Sequence, residues 1–355
     1  MFVLSSMKRG TKITDNYLKT YTIQSGFQNV SKMFNKASAL VLLTLVVVTC
    51  SLETPIIGIL SQETFIVSHL FPEERHDSFI AASYVKHIES GGGRVVPIWI
   101  GQSEDYYRRV VSYTNGVLFP GGGTYFNVTG GYGQAAKQIY KFALEANTKG
   151  IYYPVWGSCL GMEVLAFASL DGKDIRVDCL LKNVAVPLNF TKAARKSKLF
   201  SKAPKSVLTA LASQDVAFNF HRYCLTKSVL EENSILSNWK VLATNKDVNQ
   251  LEFISAMESK EFPIYGVQFH PEKNQFEFEK NKIPHSKEAV EVAQYFGNFF
   301  VDEARRNNNT FPSIATEKKS LIYNYNPRYT GLKGNSVYEQ LYVFDKTDFE
   351  AAQLL

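Results

Sequence analysis

The sequence predicts an α/β fold, in which a mostly parallel sheet is covered by helices on both faces and is followed by additional β-rich segments. From residue 55 to residue 156, short apolar runs alternate with amphipathic stretches, as in repeated βα units. Two of these runs lead directly into glycine-containing turns, at Gly121 and at Cys159. Because such sheets bind ligands at the carboxyl ends of their strands, both turns fall where the fold places a site.

Hydrophobic periodicity and glycine punctuation define the elements of the N-terminal half. The stretch 77–89 is predicted as a helix, since Ile80, Tyr84, Val85 and Ile88 share one helical face and Gly91 begins a glycine run that stops it. The same reasoning gives strand 55–60, helix 77–89, strand 94–99, helix 103–113, strand 116–119, helix 133–146, strand 151–156 and helix 162–170.

The C-terminal half reads as mostly β. Strands are predicted at 177–187, 239–244, 250–257 and 263–270. The stretch 286–305 has apolar residues at helical spacing and is interpreted as a helix that packs on the core. Residues 303–319 are polar enough for a surface excursion. The aromatic tail 323–344 is expected either to pack back on the fold or to meet a partner subunit.

Cys159 is the candidate nucleophile. Gly157 and Gly161 flank it in a strand-to-helix turn, which is the spacing of a nucleophile elbow with cysteine in place of serine. Glycine suits such a turn because a side chain at either position would crowd it. At a helix N-terminus the thiolate, the reactive form, is favoured. The alternative is a buried structural cysteine in a glycine-punctuated turn.

His270 and Glu272 are the candidate base and orienting acid. Strand residues alternate sides, so Gln268 and His270 face away from the core when Val267 and Phe269 face it. Glu272, two residues further in an extended segment, can lie on the same side and fix the imidazole tautomer. The chain thus supplies nucleophile, base and acid in the order Cys, His, Glu.

The glycine run that begins at Gly121 is the candidate oxyanion loop. A glycine loop after a strand presents bare backbone N–H groups, and we assign Gly122 as one donor and the N–H of Leu160 as the other. A flexible surface turn is the alternative for this run.

The three motifs F-P-G-G, W-G-x-C-L-G and Y-G-V-Q-x-H-P-E resemble the class I glutamine amidotransferase-like (flavodoxin-like) superfamily. Within it they are similar to the gamma-glutamyl hydrolase family, from about Pro55 to the C-terminus. The resemblance implies an omega peptidase that cleaves γ-linked glutamate from folate polyglutamates and needs no cofactor. It also implies a Cys159–His270–Glu272 triad and a substrate-side role for His221, which spacing alone would make a core-edge histidine.

Two other functions remain open at this stage. The same triad could serve a glutaminase subunit that delivers ammonia to a synthase, although the secretory compartment inferred below argues against it. A lumenal binding protein is the non-enzymatic alternative. The other histidines show no metal-ligand spacing, so no metal is expected.

An apolar run near the N-terminus indicates the secretory route, and the charge of the remaining chain bears on its partners. The longest apolar run, residues 39–49, is too short for a membrane span and has the length of a signal-peptide core. We expect an extension and signal peptide over 1–51, translation starting at Met33, and one domain over 52–355. The first 51 residues hold six of the 39 basic and one of the 33 acidic residues, so the mature chain has almost no net charge. A nucleic-acid partner and a membrane anchor are not expected.

The sequons agree with a lysosomal, vacuolar or secreted glycoprotein, whereas the cysteines do not decide. Asn127, Asn189 and Asn308 each begin an N-x-T sequon in the mature part. Since Cys159 must stay a free thiol, Cys179 and Cys224 form either one disulfide or two buried thiols. A homodimer is expected.

Overall fold

The central sheet positions everything that follows. In the computed structural model, the described residues are 52–333 and 335–351, so the predicted signal peptide and the Met33 start lie outside them. Eight strands form this sheet in the order β3-β1-β4-β5-β11-β10-β9-β7. They are β1 (Ile56–Leu60), β3 (Arg94–Ile98), β4 (Gly116–Phe119), β5 (Val155–Ser158), β7 (Asn189–Phe190), β9 (Trp239–Lys246), β10 (Glu252–Ser259) and β11 (Ile264–Val267).

Strand direction divides the sheet in two. Strands β3, β1, β4, β5 and β11 are parallel, whereas β10, β9 and β7 continue it in antiparallel fashion. The order β3-β1-β4-β5 is that of flavodoxin-like sheets. The predicted α/β fold class, including its extra β-rich segments, is confirmed.

Helices cover the sheet in two packed groups. Helices α2, α3 and α4 contact one another in series, and α8 contacts both α1 and α5. The helices are α1 (Ala82–Ser90), α2 (Glu104–Tyr113), α3 (Tyr132–Thr148), α4 (Leu160–Ser169), α5 (Lys205–Ser213), α6 (Lys227–Glu232), α7 (Lys273–Phe276), α8 (Lys287–Ala304), α9 (Ile314–Ser320) and α10 (Lys346–Ala351). Both α1 and α8 contact β1, and so does α3. The apolar face of α8, interpreted from sequence as core packing, is buried.

Two small antiparallel sheets stand apart from the central one. The first joins β12 (Arg328–Tyr329), β13 (Gln340–Phe344) and β2 (Ser78–Ala81). The second pairs β6 (Val177–Val186) with β8 (Ala217–Cys224). The helix predicted over 77–89 is therefore wrong at its start, because 78–81 pair with the C-terminal β13 instead. The aromatic tail packs back on the fold through this pairing.

Candidate active site

The turn at Cys159 has the backbone of a nucleophile elbow. Cys159 adopts φ 53° and ψ −111°, a strained conformation for a residue with a side chain, between β5 and α4. A Cβ on Gly157 would lie 2.3 Å from the Gly161 carbonyl oxygen. One on Gly161 would lie 1.9 Å from that of Phe119. The two glycines are thus required by close backbone approach, as the sequence predicted.

His270 and Glu272 meet although the local backbone differs from the prediction. Strand β11 ends at Val267, and Glu272 is helical rather than extended, at the start of α7. Its Oε1 nevertheless lies 2.7 Å from His270 Nδ1. An ionised carboxylate can only accept, so Nδ1 carries the proton and Nε2 is the basic nitrogen.

A tyrosine that sequence reasoning placed only in a core-facing stripe completes this corner. The Tyr84 hydroxyl accepts a hydrogen bond from the Gly121 N–H at 2.7 Å and lies 3.3 Å from His270 Nδ1. It therefore links the glycine loop to the imidazole. Its place on the apolar face of the predicted helix 77–89 gave no sign of this role.

The glycine loop is held by buried side chains and is no flexible surface turn. Gln62 Nε2 donates to the Gly121 carbonyl at 2.9 Å, and a Cβ on Gly122 would lie 1.7 Å from Gln62 Oε1. Among the described residues, the Gly122 N–H has no acceptor. The loop thus offers a backbone donor where the sequence predicted one.

Nucleophile, base and loop converge at Gly121. A Cβ placed on this residue would lie 2.6 Å from His270 Cε1 and 3.0 Å from Cys159 Cβ. The N–H of Leu160 is directed at the Cys159 sulfur and lowers its pKa. The structure therefore brings Cys159, His270, Glu272 and Leu160 together around Gly121, the residue before Gly122.

Burial sets the charge states of the site. It raises the pKa of the Cys159 thiol, as does the Glu163 carboxylate, and the Leu160 N–H offsets this only in part. The N–H at the start of α4 favours the thiolate, as expected from the sequence, but burial opposes it more strongly. Burial also opposes the charge on Glu272, yet His270 and Lys273 hold the pKa of that carboxyl below its usual value. A base beside the thiol is therefore required.

Three further polar residues form a chain of contacts that begins at the sulfur. Gln268 Nε2 lies 3.8 Å from Cys159 Sγ and 2.9 Å from Glu163 Oε1, and Arg176 contacts the same carboxylate. Sequence reasoning placed Gln268 on the His270 side, which the structure confirms. It missed Glu163, which shows no motif of its own, and Arg176, which lies in a separate β-rich segment.

His221 lies on β8 and is buried. Its Nδ1 is 3.1 Å from the Cys179 carbonyl oxygen, and its buried Nε2 has no partner among the described residues. Burial lowers its pKa to about 4, and the nearby His270 acts in the same direction. Cys179 and Cys224 form a disulfide with a Cα–Cα distance of 5.6 Å, which decides the question the sequence left open.

Other features of the described residues bear on partners. No group of three or more His, Cys, Asp or Glu side chains is arranged there to hold a metal ion. Nor does any helix within 52–333 or 335–351 have the length and apolarity to cross a membrane. The side chains of Asn127, Asn189 and Asn308 are exposed.

The meeting of thiol, imidazole and carboxylate at the edge of a mostly parallel sheet is the arrangement of a cysteine hydrolase. The sequence model of the family described as Peptidase C26 matches residues 55–272, and the chain belongs to this family. The gamma-glutamyl hydrolase of Mus musculus is 42% identical over 296 residues, which cover 82% of this chain and 90% of that protein.

Two further relatives agree. The gamma-glutamyl hydrolase of Homo sapiens is 40% identical over 300 residues, covering 82% of this chain and 90% of that protein. Gamma-glutamyl hydrolase B of Dictyostelium discoideum is 37% identical over 314 residues, covering 85% and 88%. The predicted resemblance and enzyme type are confirmed, and the chain is an enzyme of the gamma-glutamyl hydrolase kind.

Proposed function

We propose that this enzyme hydrolyses γ-glutamyl bonds of folate polyglutamates, with Cys159 as nucleophile, His270 as acid and base, and Glu272 as the orienting acid. The observation that carries the assignment of roles is the convergence of Cys159 and His270 on the Gly121 backbone. The substrate follows from membership of the peptidase C26 family and from the names of the relatives.

The first half of the reaction forms a thioester. His270 Nε2 takes the thiol proton, and the sulfur attacks the side-chain amide carbonyl of a γ-linked glutamate. The N–H groups of Gly122 and Leu160 stabilise the oxyanion. The imidazolium then protonates the leaving amine as the C–N bond breaks, which releases glutamate or poly-γ-glutamate. Glu272 stabilises the imidazolium that forms between these two steps.

The second half regenerates the thiol. His270, neutral again, takes a proton from water as its oxygen attacks the thioester carbonyl, and the same two N–H groups stabilise the oxyanion. Collapse breaks the C–S bond, the shortened folate leaves as a carboxylic acid, and the sulfur recovers its proton from His270. The proposed steps use only groups of this chain and water, without a cofactor.

Differential binding of the substrate separates this function from the glutaminase alternative. A γ-glutamyl tail carries a free α-carboxylate on every residue, so a site built for it offers donors that an α-linked chain cannot satisfy. A glutaminase would instead hold one small amide. His221, with its unpartnered buried nitrogen, is our proposed residue for the substrate side.

Kinetics on three substrates test the proposal. We expect kcat/KM for pteroyl-di-γ-glutamate to exceed that for its α-linked isomer and for free glutamine by at least about 100-fold, equivalent to roughly 3 kcal/mol. The assay uses the mature chain without ATP, metal or partner. If glutamine matched the γ-linked conjugate, the glutaminase reading would replace the hydrolase.

We also propose that the chain enters the secretory pathway and reaches the lysosome, vacuole or extracellular space. The signal-peptide-like run 39–49, the exposed sequons and the Cys179–Cys224 disulfide support this compartment. The mature protein is expected to begin near Ser51 or Leu52 and to carry N-linked glycan on at least one of the three sequons. N-terminal sequencing that starts at Met1 or Met33, with no mass change after glycosidase treatment, would refute it.

A homodimer remains our proposal for the assembly. Its support is a set of exposed apolar side chains near the C-terminus, which a partner subunit would cover. They are Ile314, Tyr323, Tyr329 and Leu332. Light scattering on the purified protein is expected to give twice the chain mass, and a monomer mass at all concentrations would contradict the proposal.

A further inference from the structure

A buried chain of polar contacts leads away from the proposed nucleophile. It begins with the Gln268 amide, whose Nε2 lies 3.8 Å from Cys159 Sγ and 2.9 Å from Glu163 Oε1. Glu163 Oε2 accepts a hydrogen bond from Arg176 at 3.3 Å. Gln268 is fully buried, and the side chains of Glu163 and Arg176 are 3% and 9% exposed. Four residues from three parts of the chain thus connect the sulfur to a cation.

Arg176 is fixed from several directions. Asp174 accepts from its Nε at 2.9 Å and from its second terminal nitrogen at 2.7 Å. The guanidinium carbon lies 3.8 Å from the centre of the Phe126 ring and 5.0 Å from that of Tyr223. A planar cation held by a bidentate carboxylate and by aromatic rings has little freedom to move. The contact between Arg176 and Glu163 is therefore held in place by the surrounding structure.

The orientation of the Gln268 amide depends on the charge of Glu163. An ionised carboxylate only accepts, so it holds the NH₂ end of the amide towards itself and leaves the second N–H for the sulfur. A protonated Glu163 could donate instead, and would then attract the oxygen end of the amide. That oxygen, without a partner among the described residues, would face a thiolate and repel it.

We propose that Arg176 is a positioning residue for Cys159: by neutralising the buried Glu163, it keeps the Gln268 N–H directed at the sulfur where the thiolate forms. The inference rests on the proposed function, because it matters only if this sulfur is the nucleophile. Burial raises the pKa of Glu163 to about 7 even beside Arg176. Without that cation the pKa of Glu163 rises further, so the carboxyl is protonated above pH 7, where in the wild type it is mostly ionised.

The variant Arg176→Met tests this effect through alkylation of the thiol by iodoacetamide. Loss of the Glu163 charge by itself would lower the pKa of the Cys159 thiol, so a rise in that pKa would report the loss of the amide donor. The other titratable groups around Cys159 are unaltered; they are His270, Glu272, Lys273, Tyr84, Tyr132 and Tyr338. We expect alkylation at about pH 8, where the wild-type Glu163 is mostly ionised, to slow about tenfold and its pH profile to move up by about one unit.

Asp174→Asn is the matched control. It removes the other carboxylate of the same guanidinium, one that is half-exposed, and leaves the Glu163 contact in place. We expect its alkylation profile to equal that of wild type. An unchanged profile for Arg176→Met in a folded protein, or equal shifts for both variants, would overturn the proposal.

A second variant keeps the proposal testable if Arg176→Met fails to fold. Gln268→Met removes the donor itself without changing any charge, and we expect the same tenfold slowing. Alkylation of this variant at the wild-type rate would overturn the proposal. Since alkylation needs no substrate, its outcome is independent of whether the wild type cleaves γ-glutamyl bonds. The failure of the inference and the failure of the proposed function are therefore distinguishable.

Discussion

At the scale of single residues, His270 and Glu272 illustrate how two side chains divide one task. The 2.7 Å contact between Nδ1 and Oε1 fixes the imidazole tautomer, while Nε2 is left for proton transfer. Tyr84 touches the same nitrogen and the Gly121 N–H, so the base and the loop share one support.

Because His270 and Glu272 have different roles, His270→Asn and Glu272→Gln are predicted to lower kcat by different factors. The first removes the base, and we expect kcat to fall by about 10⁵ to 10⁶, close to the loss of a nucleophile. The second removes only orientation and charge stabilisation, so a smaller loss of about 10² to 10⁴ is expected. Steady-state kinetics check both, with circular dichroism as the control for folding. Equal, small losses would place the base elsewhere, with His221 the next candidate.

Glu163 predicts a pH dependence of stability. Its pKa is about 7 in the fold against 4.5 in the unfolded chain, so the folded state binds the proton more tightly. The tighter binding of the proton in the folded state contributes about 3 kcal/mol to the free energy of unfolding. This contribution is fully present below pH 4.5 and is lost as the pH rises through 7.

Glu163→Gln removes that titration. We expect the variant to be more stable relative to wild type at pH 8 than at pH 5, that is, to have the larger relative free energy of unfolding at pH 8. His87 and His221, whose burial lowers each pKa to about 4, titrate in both proteins and cancel in the comparison. Urea unfolding at the two pH values measures the difference in unfolding free energy between wild type and variant. A wild-type-to-variant difference that is independent of pH would contradict the assignment.

At the scale of elements, the sequence predicted what short-range patterns encode. The strand 116–119 has the predicted bounds, and the elbow was located by Gly157 and Gly161 alone. The error at 77–81 has a physical cause: Tyr342 pairs with Ile80 across a distance in sequence that no local periodicity reveals. A prediction made from the local pattern of 77–89 therefore assigns to the helix residues that form strand β2.

The β6–β8 pair shows the same limit for cysteines. Spacing left Cys179 and Cys224 undecided, and only the antiparallel register brings their Cα atoms to 5.6 Å. The disulfide also neighbours His221, through the Cys179 carbonyl.

Removing this disulfide is predicted to cost stability. The bridge spans a sequence separation of 45 residues, for which loop-closure entropy gives about 4 kcal/mol. We expect the variant Cys179→Ala/Cys224→Ala to unfold at a lower urea concentration by that free energy or less. Cys159 alkylation in the folded variant controls for the integrity of the site. A stability equal to that of wild type would show that the bridge is absent or has no effect.

At the scale of the whole molecule, the site lies at the carboxyl ends of β4, β5 and β11. Three motifs separated by more than 30 residues each meet there because parallel strands end at one edge of the sheet. That principle made Cys159 and the Gly121 loop predictable, and the alternation of side chains along a strand did the same for His270. Gln62 and Arg176 were not, because their roles depend on packing between segments and no motif marks them.

Replacement of Cys159 by alanine tests the central claim most directly. The change removes the thiol and little volume, so fold and substrate affinity are expected to be nearly intact. We predict that kcat for pteroyl-di-γ-glutamate falls by about 10⁶, to background. The measurement is product formation by the variant under saturating substrate, with binding confirmed separately. Residual activity above roughly a tenth of wild type would contradict the account.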